Sequence, residues 1–220
     1  MPSAPVFFAS VLLLLATPVF AQEDIDKVNG AISVSAGQSF GDLSTVNGSI
    51  EVGADGRAAA VSTVNGAVTL GQAAQVRSVE VVNGSVRLGR DARVERDTET
   101  VNGSIFADHG SRIGGDVTTV NGSIGLVATH LEGNVETVNG DITVGIGSRV
   151  QGGIRVHASS SWFQITPKRK LRIVIGPNAV VEGASRFDRD VVLYVHSSAR
   201  MGPVTGAQAR SFDTPTAPQD

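Results

Sequence analysis

Residues 63–82 read TVNGAVTLGQAAQVRSVEVV, and the same order of residue types returns along the chain. The tripeptide Val-Asn-Gly occurs seven times, at Val28, Val46, Val64, Val82, Val101, Val120 and Val138. Successive copies are 18, 18, 18, 19, 19 and 18 residues apart. Such self-similarity at a fixed short period is typical of proteins built from stacked repeats.

Aliphatic residues recur at fixed positions of each repeat when its Val is counted as position 1. In the third repeat they are Val64, Val68, Leu70, Val76 and Val79. Apolar and polar residues alternate around them, which predicts half-buried strands. Positions 1, 7 and 13 are six apart and divide the repeat into three short strands. The sequence therefore predicts an all-β, single-stranded parallel β-helix, a triangular solenoid of about 18 residues per coil and about nine coils.

Position 1 is expected to point into the core. Replacing Val82 with Asp is then expected to destabilise the protein strongly, because it would bury an unpaired charge. A single coil buries too few aliphatic side chains to offset the entropy of ordering it, so stability must come from stacking coils about 4.8 Å apart.

The Asn-Gly pair suits a corner between strands, because both residues tolerate positive φ and Gly permits close approach of neighbouring coils. Two arrangements remain open: an Asn ladder at the corner, or a flat outer surface of Thr and Asn columns. The candidate ladder comprises Asn29, Asn47, Asn65, Asn83, Asn102, Asn121 and Asn139 with Gly30, Gly48, Gly66, Gly84, Gly103, Gly122 and Gly140. The candidate surface-binding column comprises Thr45, Thr63, Thr100, Thr119 and Thr137. Lys27 and Val81 interrupt the Thr column.

Residues 1–21 have the features of an export signal. Val6 to Val19 form an apolar run too short to span a bilayer, and small residues precede a cleavage point after Ala21. The chain is therefore expected to be exported to the periplasm or the outside of a bacterium, with no membrane span after removal of the signal. The seven repeats follow over residues 22–156.

The repeat pattern lapses over residues 157–170, which we expect to form a loop leaving the stack. It returns in residues 171–209 as degenerate coils that would cap the solenoid. Residues 210–220, with Pro215 and Pro218, are expected to form a disordered tail.

Composition limits the function. The chain has no Cys, so no disulfide staples it, and a net charge of −3 lacks the basic excess of a nucleic-acid-binding protein. His109, His130, His157 and His196 fall at unrelated repeat positions. We therefore expect no enzyme, no cofactor and no metal site. A remote alternative is a hexapeptide-type acyltransferase, which shares an 18-residue triangular coil.

The repeats Thr45-Val46-Asn47-Gly48-Ser49-Ile50 and Thr137-Val138-Asn139-Gly140-Asp141-Ile142 resemble those of adhesin-type β-solenoid domains from bacterial envelope proteins. Together with Gly115-Asp116-Val117 and Gly152-Gly153-Ile154, they are also similar to bactofilins, which are polymer-forming proteins. The resemblance covers roughly residues 25 to 205 and implies a right-handed coil.

Two functions follow as expectations. The first is a structural scaffold or adhesin-like rod that presents laddered polar faces to an envelope protein, to polysaccharide or to itself. The second is a module that binds an ordered glycan or ice through the Thr and Asn columns.

Overall fold

The computed structural model describes residues 22–158 and 170–218. Every regular element in these residues is a β-strand, and all the pairings between strands are parallel. The predicted export signal lies outside the described residues, and so do residues 159–169 of the predicted loop.

Each lap of the chain lies directly over the previous one. Asn29 pairs with Asn47, and Asn47 pairs with Asn65, each one repeat further along the sequence. This register confirms the predicted parallel β-solenoid. Each full lap contributes three short strands, which form three faces.

The first face contains the strands that lead into the Asn-Gly corners. Two of them, β5 (Arg57–Asn65) and β7 (Gln75–Asn83), begin on the third face and continue onto the first. The others are β1 (Ile25–Asn29), β3 (Leu43–Asn47), β10 (Thr98–Asn102), β13 (Val117–Asn121), β16 (Val135–Asn139), β19 (Ile154–Val156), β22 (Ser185–Phe187) and β25 (Val204–Thr205).

The second face is a sheet of ten strands, one for each rung. They are β2 (Ile32–Val34), β4 (Ile50–Val52), β6 (Val68–Leu70), β8 (Val86–Leu88), β11 (Ile105–Ala107), β14 (Ile124–Leu126), β17 (Ile142–Val144), β20 (Leu171–Ile175), β23 (Val191–His196) and β26 (Ala209–Phe212).

In each lap, the strand of the third face comes after the strand of the second face along the chain. Besides the first halves of β5 and β7, it contains β9 (Arg93–Val94), β12 (Arg112–Ile113), β15 (His130–Leu131), β18 (Arg149–Val150), β21 (Val180–Val181) and β24 (Arg200–Met201). Because β5 and β7 span both faces, the first and third faces form one sixteen-stranded sheet.

Aliphatic side chains fill the space between the three faces. Val68, Leu70, Val76 and Val79 are all buried, which confirms the inward assignment of repeat positions 5, 7, 13 and 16. Each inward residue lies over its counterpart in the next rung, as Val68 does over Val86. The core is therefore a set of aliphatic ladders parallel to the axis.

The prediction that position 1 points inward is wrong. Along β5, Val61 and Thr63 are buried, whereas Val64 is 39 % exposed. Successive side chains of a strand point to opposite faces, so an inward Thr63 requires an outward Val64. The same alternation buries Val81 and leaves Val82 half-buried on the outer surface.

The stack continues past the residues that are not described. Val144 pairs with Ile175, 31 residues later, and Ile175 pairs with Val195 at a step of 20.

The prediction of a disordered tail needs correction at its start, because Arg210 to Phe212 belong to β26, which pairs with β23. Phe212 packs edge-on against the ring of Tyr194, with a centroid distance of 6.5 Å.

Candidate functional site

The seven corner Asn side chains form a continuous hydrogen-bonded ladder. From Asn47 onward, each Nδ2 donates to the Oδ1 of the Asn one rung before it, and all seven side chains are exposed. The distances from Asn47, Asn65, Asn83, Asn102, Asn121 and Asn139 to their acceptors are 3.0, 3.0, 3.0, 2.9, 2.9 and 3.0 Å. Of the two arrangements that the sequence leaves open, the structure has the corner ladder.

Arg189 closes one end of this ladder. Its guanidinium donates to Oδ1 of Asn139 at 2.7 Å and to the main-chain oxygen of Val138 at 2.8 Å. Arg189 follows β22, on a rung that lacks an Asn of its own. An amide oxygen that would otherwise have no neighbouring amide therefore has a charged donor, and charge-assisted hydrogen bonds of this kind are strong. The sequence repeat gave no signal for this role.

The corner glycines are required mainly by close packing between rungs. A Cβ at Gly66 would overlap the main-chain oxygen of Gly48, and one at Gly84 would overlap that of Gly66. The expected use of positive φ applies to two of the seven, Gly30 and Gly122. The repeat therefore needs Gly at this position because the preceding rung leaves no space for a side chain.

The Thr side chains lie inside the solenoid and form hydrogen bonds with the corners. Their hydroxyl groups donate to the main-chain oxygen of a corner Gly in the preceding rung. The distances from Thr45, Thr63, Thr100 and Thr119 are 3.2, 2.9, 3.0 and 3.0 Å. Thr137, also buried, has a hydroxyl without a hydrogen-bond partner among the described residues. Because all five are buried, the expected surface-binding Thr column is not available to a ligand outside.

A stripe of valines faces outward on the first face, where the Thr side chains were expected. We call it the valine stripe. It comprises Val28, Val46, Val64, Val82, Val101, Val120 and Val138. Val28 is 68 % exposed, and Val46, Val64 and Val101 are about 40 % exposed. A shallow groove of about 260 Å³ runs beside Val46, Val64 and Val82.

Acidic residues lie beside the valine stripe. Glu80 and Glu99 occupy the same place in neighbouring rungs, and Glu136 lies two rungs beyond Glu99. Partial burial, reinforced by the carboxylates of Asp97, Glu80 and Asp116, raises the pKa of Glu99 above its ordinary value. The outer surface of the first face is thus an apolar stripe flanked by carboxylates and by the Asn ladder.

Replacing Glu99 with Gln is expected to raise the melting temperature at pH 7. With its pKa raised by folding, the wild-type carboxylate is costlier in the folded protein than in the unfolded chain wherever it is ionised. Below the unfolded pKa, at about pH 4, both states are protonated and this cost disappears. The gain from Glu99→Gln should therefore shrink as the pH falls, which thermal melts at pH 7 and in acid would measure.

Glu51→Gln is the matched control for this measurement. Glu51 is exposed on the second face, where its neighbours in the adjacent rungs are Ser33 and Thr69. A melting temperature of Glu99→Gln at pH 7 that equals or falls below that of the wild type would contradict the carboxylate repulsion.

The titratable side chains do not converge on one point. His109 Nδ1 contacts Asp108 Oδ1 at 2.5 Å, and this hydrogen bond holds the pKa of Asp108 below its ordinary value. His157 contacts Glu136 on the first face, and His130 contacts Gln151 on the third. Within residues 22–158 and 170–218, no group of three or more His, Cys, Asp or Glu side chains could hold a metal ion.

An open groove of about 910 Å³ lies between the second face and the chain after β26. Its walls are largely apolar, with Val174 and Ile146 on one side and Pro215 on the other. Arg172 closes the base by donating to the main-chain oxygens of Ala217 and Pro218 at 3.1 and 2.6 Å. The guanidinium thus holds the terminal segment in place.

Comparisons of the chain with family models, with curated proteins and with solved structures gave no match. The structure itself shows a parallel β-solenoid repeat protein. Among the residues that it describes, none forms a helix with the length and apolar character needed to cross a bilayer.

Proposed function

We propose that this protein is an exported, non-catalytic rod of the bacterial envelope that acts as an adhesin-like interaction scaffold. The observation that carries the proposal is the valine stripe, which repeats one outward apolar side chain over seven successive rungs, exposed in four of them and half-buried in the other three. Soluble monomers rarely expose a contiguous apolar surface without a partner. A rigid surface of this kind is suited to contact rather than to chemistry.

The partner is a protein with an apolar strip bordered by Lys or Arg. The Val side chains supply a contact that gains free energy when water is excluded, and Glu80 and Glu99 border it with negative charge. The Asn ladder fixes the spacing of the rungs along the other border. These features match an elongated partner surface.

Export and the family resemblance are further parts of the proposal. Residues 1–21 have the composition of a cleaved signal. The similarity of the repeats to adhesin-type and bactofilin solenoids supports a scaffold role. Binding of ice or an ordered glycan through Thr loses its support, since the Thr hydroxyl groups are buried. No feature of the described residues favours the acyltransferase alternative.

Site-specific photo-crosslinking in the producing cell tests this function. A crosslinking residue at Val64, on the valine stripe, is expected to capture a discrete envelope protein, whereas one at Thr69, on the second face, is not. The double variant Val46→Lys with Val101→Lys should abolish the adduct formed from position 64, because two cations interrupt the apolar surface.

The control variant Thr69→Lys with Thr143→Lys carries the same charge change on the second face and should keep the adduct. An adduct with polysaccharide or with a second copy of this chain would overturn the proposed partner. Equal adducts from positions 64 and 69 would overturn the role of the valine stripe.

A further inference from the structure

The third face carries a column of arginines, although the net charge of the whole chain is negative. The outward residues at one register position of successive rungs are Arg57, Gln75, Arg93, Arg112, His130, Arg149, Val180 and Arg200. Five of these eight are Arg. The column crosses eight rungs and is about 34 Å long at the usual spacing of strands. We call it the arginine column.

Most of these guanidinium groups lack partners within the described part of the chain. Arg149 forms an ion pair with Glu182. Arg57, Arg93, Arg112 and Arg200 are exposed and form no side-chain hydrogen bond or ion pair with any described residue. Arg93 and Arg112 lie directly opposite each other in paired strands, an arrangement that destabilises a sheet when the charges are alike.

We propose that the arginine column binds a linear acidic polysaccharide laid along the solenoid axis. Guanidinium groups form paired, charge-assisted hydrogen bonds with carboxylates and related anions. Anionic groups along a chain would neutralise successive rungs and relieve their mutual repulsion. This inference concerns a face that the proposed protein partner does not use, and so it adds a second partner to the rod.

The arginine column is one residue wide, and this narrowness favours a linear polymer over a membrane surface as the ligand. A second file lies two residues after the column positions; it carries Glu95, Glu132 and Glu182 in three rungs and Arg77 in one, and is therefore net acidic. A planar anionic membrane would meet both files at once and be repelled by the second. A single extended chain lies along the Arg file alone.

The chemistry of the face also favours a polysaccharide over nucleic acid. Proteins that bind single-stranded nucleic acid stack the bases on aromatic side chains. The outward residues of the third face described above include no Phe, Tyr or Trp. A polymer that needs only ionic and hydrogen-bonding partners fits this surface better.

Binding of fluorescent polygalacturonate to the exported protein tests the proposal. We expect binding that weakens as salt is raised, because cation–polyanion contacts release bound counterions. The variant Arg93→Gln with Arg112→Gln should weaken binding by about tenfold or more, because two charge-assisted contacts are lost. The variant Gln75→Arg fills a gap in the column and should strengthen binding by several-fold, a gain that misfolding cannot produce.

The matched control is Arg87→Gln with Arg210→Gln, which removes the same charge from the second face and should leave the affinity unchanged. Variants of the valine stripe should also bind normally, so failure of this proposal and failure of the proposed function are distinguishable. Neutral dextran, phosphatidylglycerol vesicles and oligothymidine are the competing ligands.

Three results would overturn the proposal. One is the absence of binding to polygalacturonate at low salt. Another is equal weakening by the column variant and its control. The third is tighter binding to the vesicles or to oligothymidine than to polygalacturonate, which would assign the column to a membrane or to nucleic acid.

Discussion

Replacing Val81 with Asp is expected to unfold the central rungs, whereas replacing its neighbour Val82 with Asp is expected to be tolerated. Val81 is 1 % exposed and lies over Thr63 and Thr100 in the adjacent rungs. An aspartate there would be buried between these two Thr side chains, and none of the described core residues is a cation that could pair with it. The cost is about 4 kcal/mol or more, a large part of the stability of a typical domain.

Val82 points the other way, into solvent, as part of the valine stripe. An Asp there stays hydrated and meets only the repulsion of nearby carboxylates such as Glu80 and Glu99, so a loss of about 1 kcal/mol or less is expected. Urea unfolding followed by circular dichroism would measure both losses. Similar losses for the two variants, or a larger loss at Val82, would contradict the alternation of side chains along β7.

Replacing Gly84 with Ala is expected to cost about 3 kcal/mol, although the change adds one methyl group. That methyl would overlap the main-chain oxygen of Gly66 in the preceding rung, and main chain cannot move aside as a flexible side chain can. Relief requires the two rungs to separate. Separation would strain the hydrogen bond from Asn83 Nδ2 to Asn65 Oδ1 and the main-chain hydrogen bond from Gly66 to Asn83.

Gly125→Ala is the matched control for this overlap. Gly125 lies outward on β14, where an added Cβ would make ordinary contact with the Phe106 ring at 3.4 Å. We expect little change in its melting temperature. If Gly84→Ala melted at the same temperature as Gly125→Ala, the corner would not be as tightly packed as the structure indicates.

The period of the sequence predicted most of the architecture. Residues such as Val68 and Leu70 alternate with polar neighbours, and their recurrence every 18 or 19 residues places like side chains above like. The prediction for Val64 was wrong because hydropathy favours Val over Thr in a core. A signal was available: Val79 and Val82 are three residues apart, so a continuous strand cannot bury both.

The buried Thr could not be predicted from hydropathy, because its role depends on a corner that only the folded chain forms. At Thr63, a β-branched side chain suits the strand, and its hydroxyl supplies a donor for the main-chain oxygen of Gly48. Val81 is β-branched like Thr63 but has no hydroxyl group to donate. The column of Thr is thus an adaptation to the corner rather than to a ligand.

The order near the C-terminus was also hidden from sequence reasoning. Pro215 and Pro218 are typical of an unstructured tail. However, the outward side chains of the last rungs include Val174 and Tyr194, and leaving these apolar surfaces in water would make the folded protein less stable. Phe212 and the chain after it cover them, and Arg172 lies over the Tyr194 ring at 5.3 Å.

The amide ladder at the corner gives the rod an electrical polarity. From Asn47 to Asn139, every side-chain amide of the ladder donates toward the N-terminal end, so the small dipoles add along the axis and reinforce one another, as in other chains of hydrogen bonds. At one end, the amide donor of Asn29 has no partner among the described residues, while the acceptor at the other end meets a guanidinium. The two ends therefore differ in charge, and a further amide could join the series at the Asn139 end only by displacing Arg189.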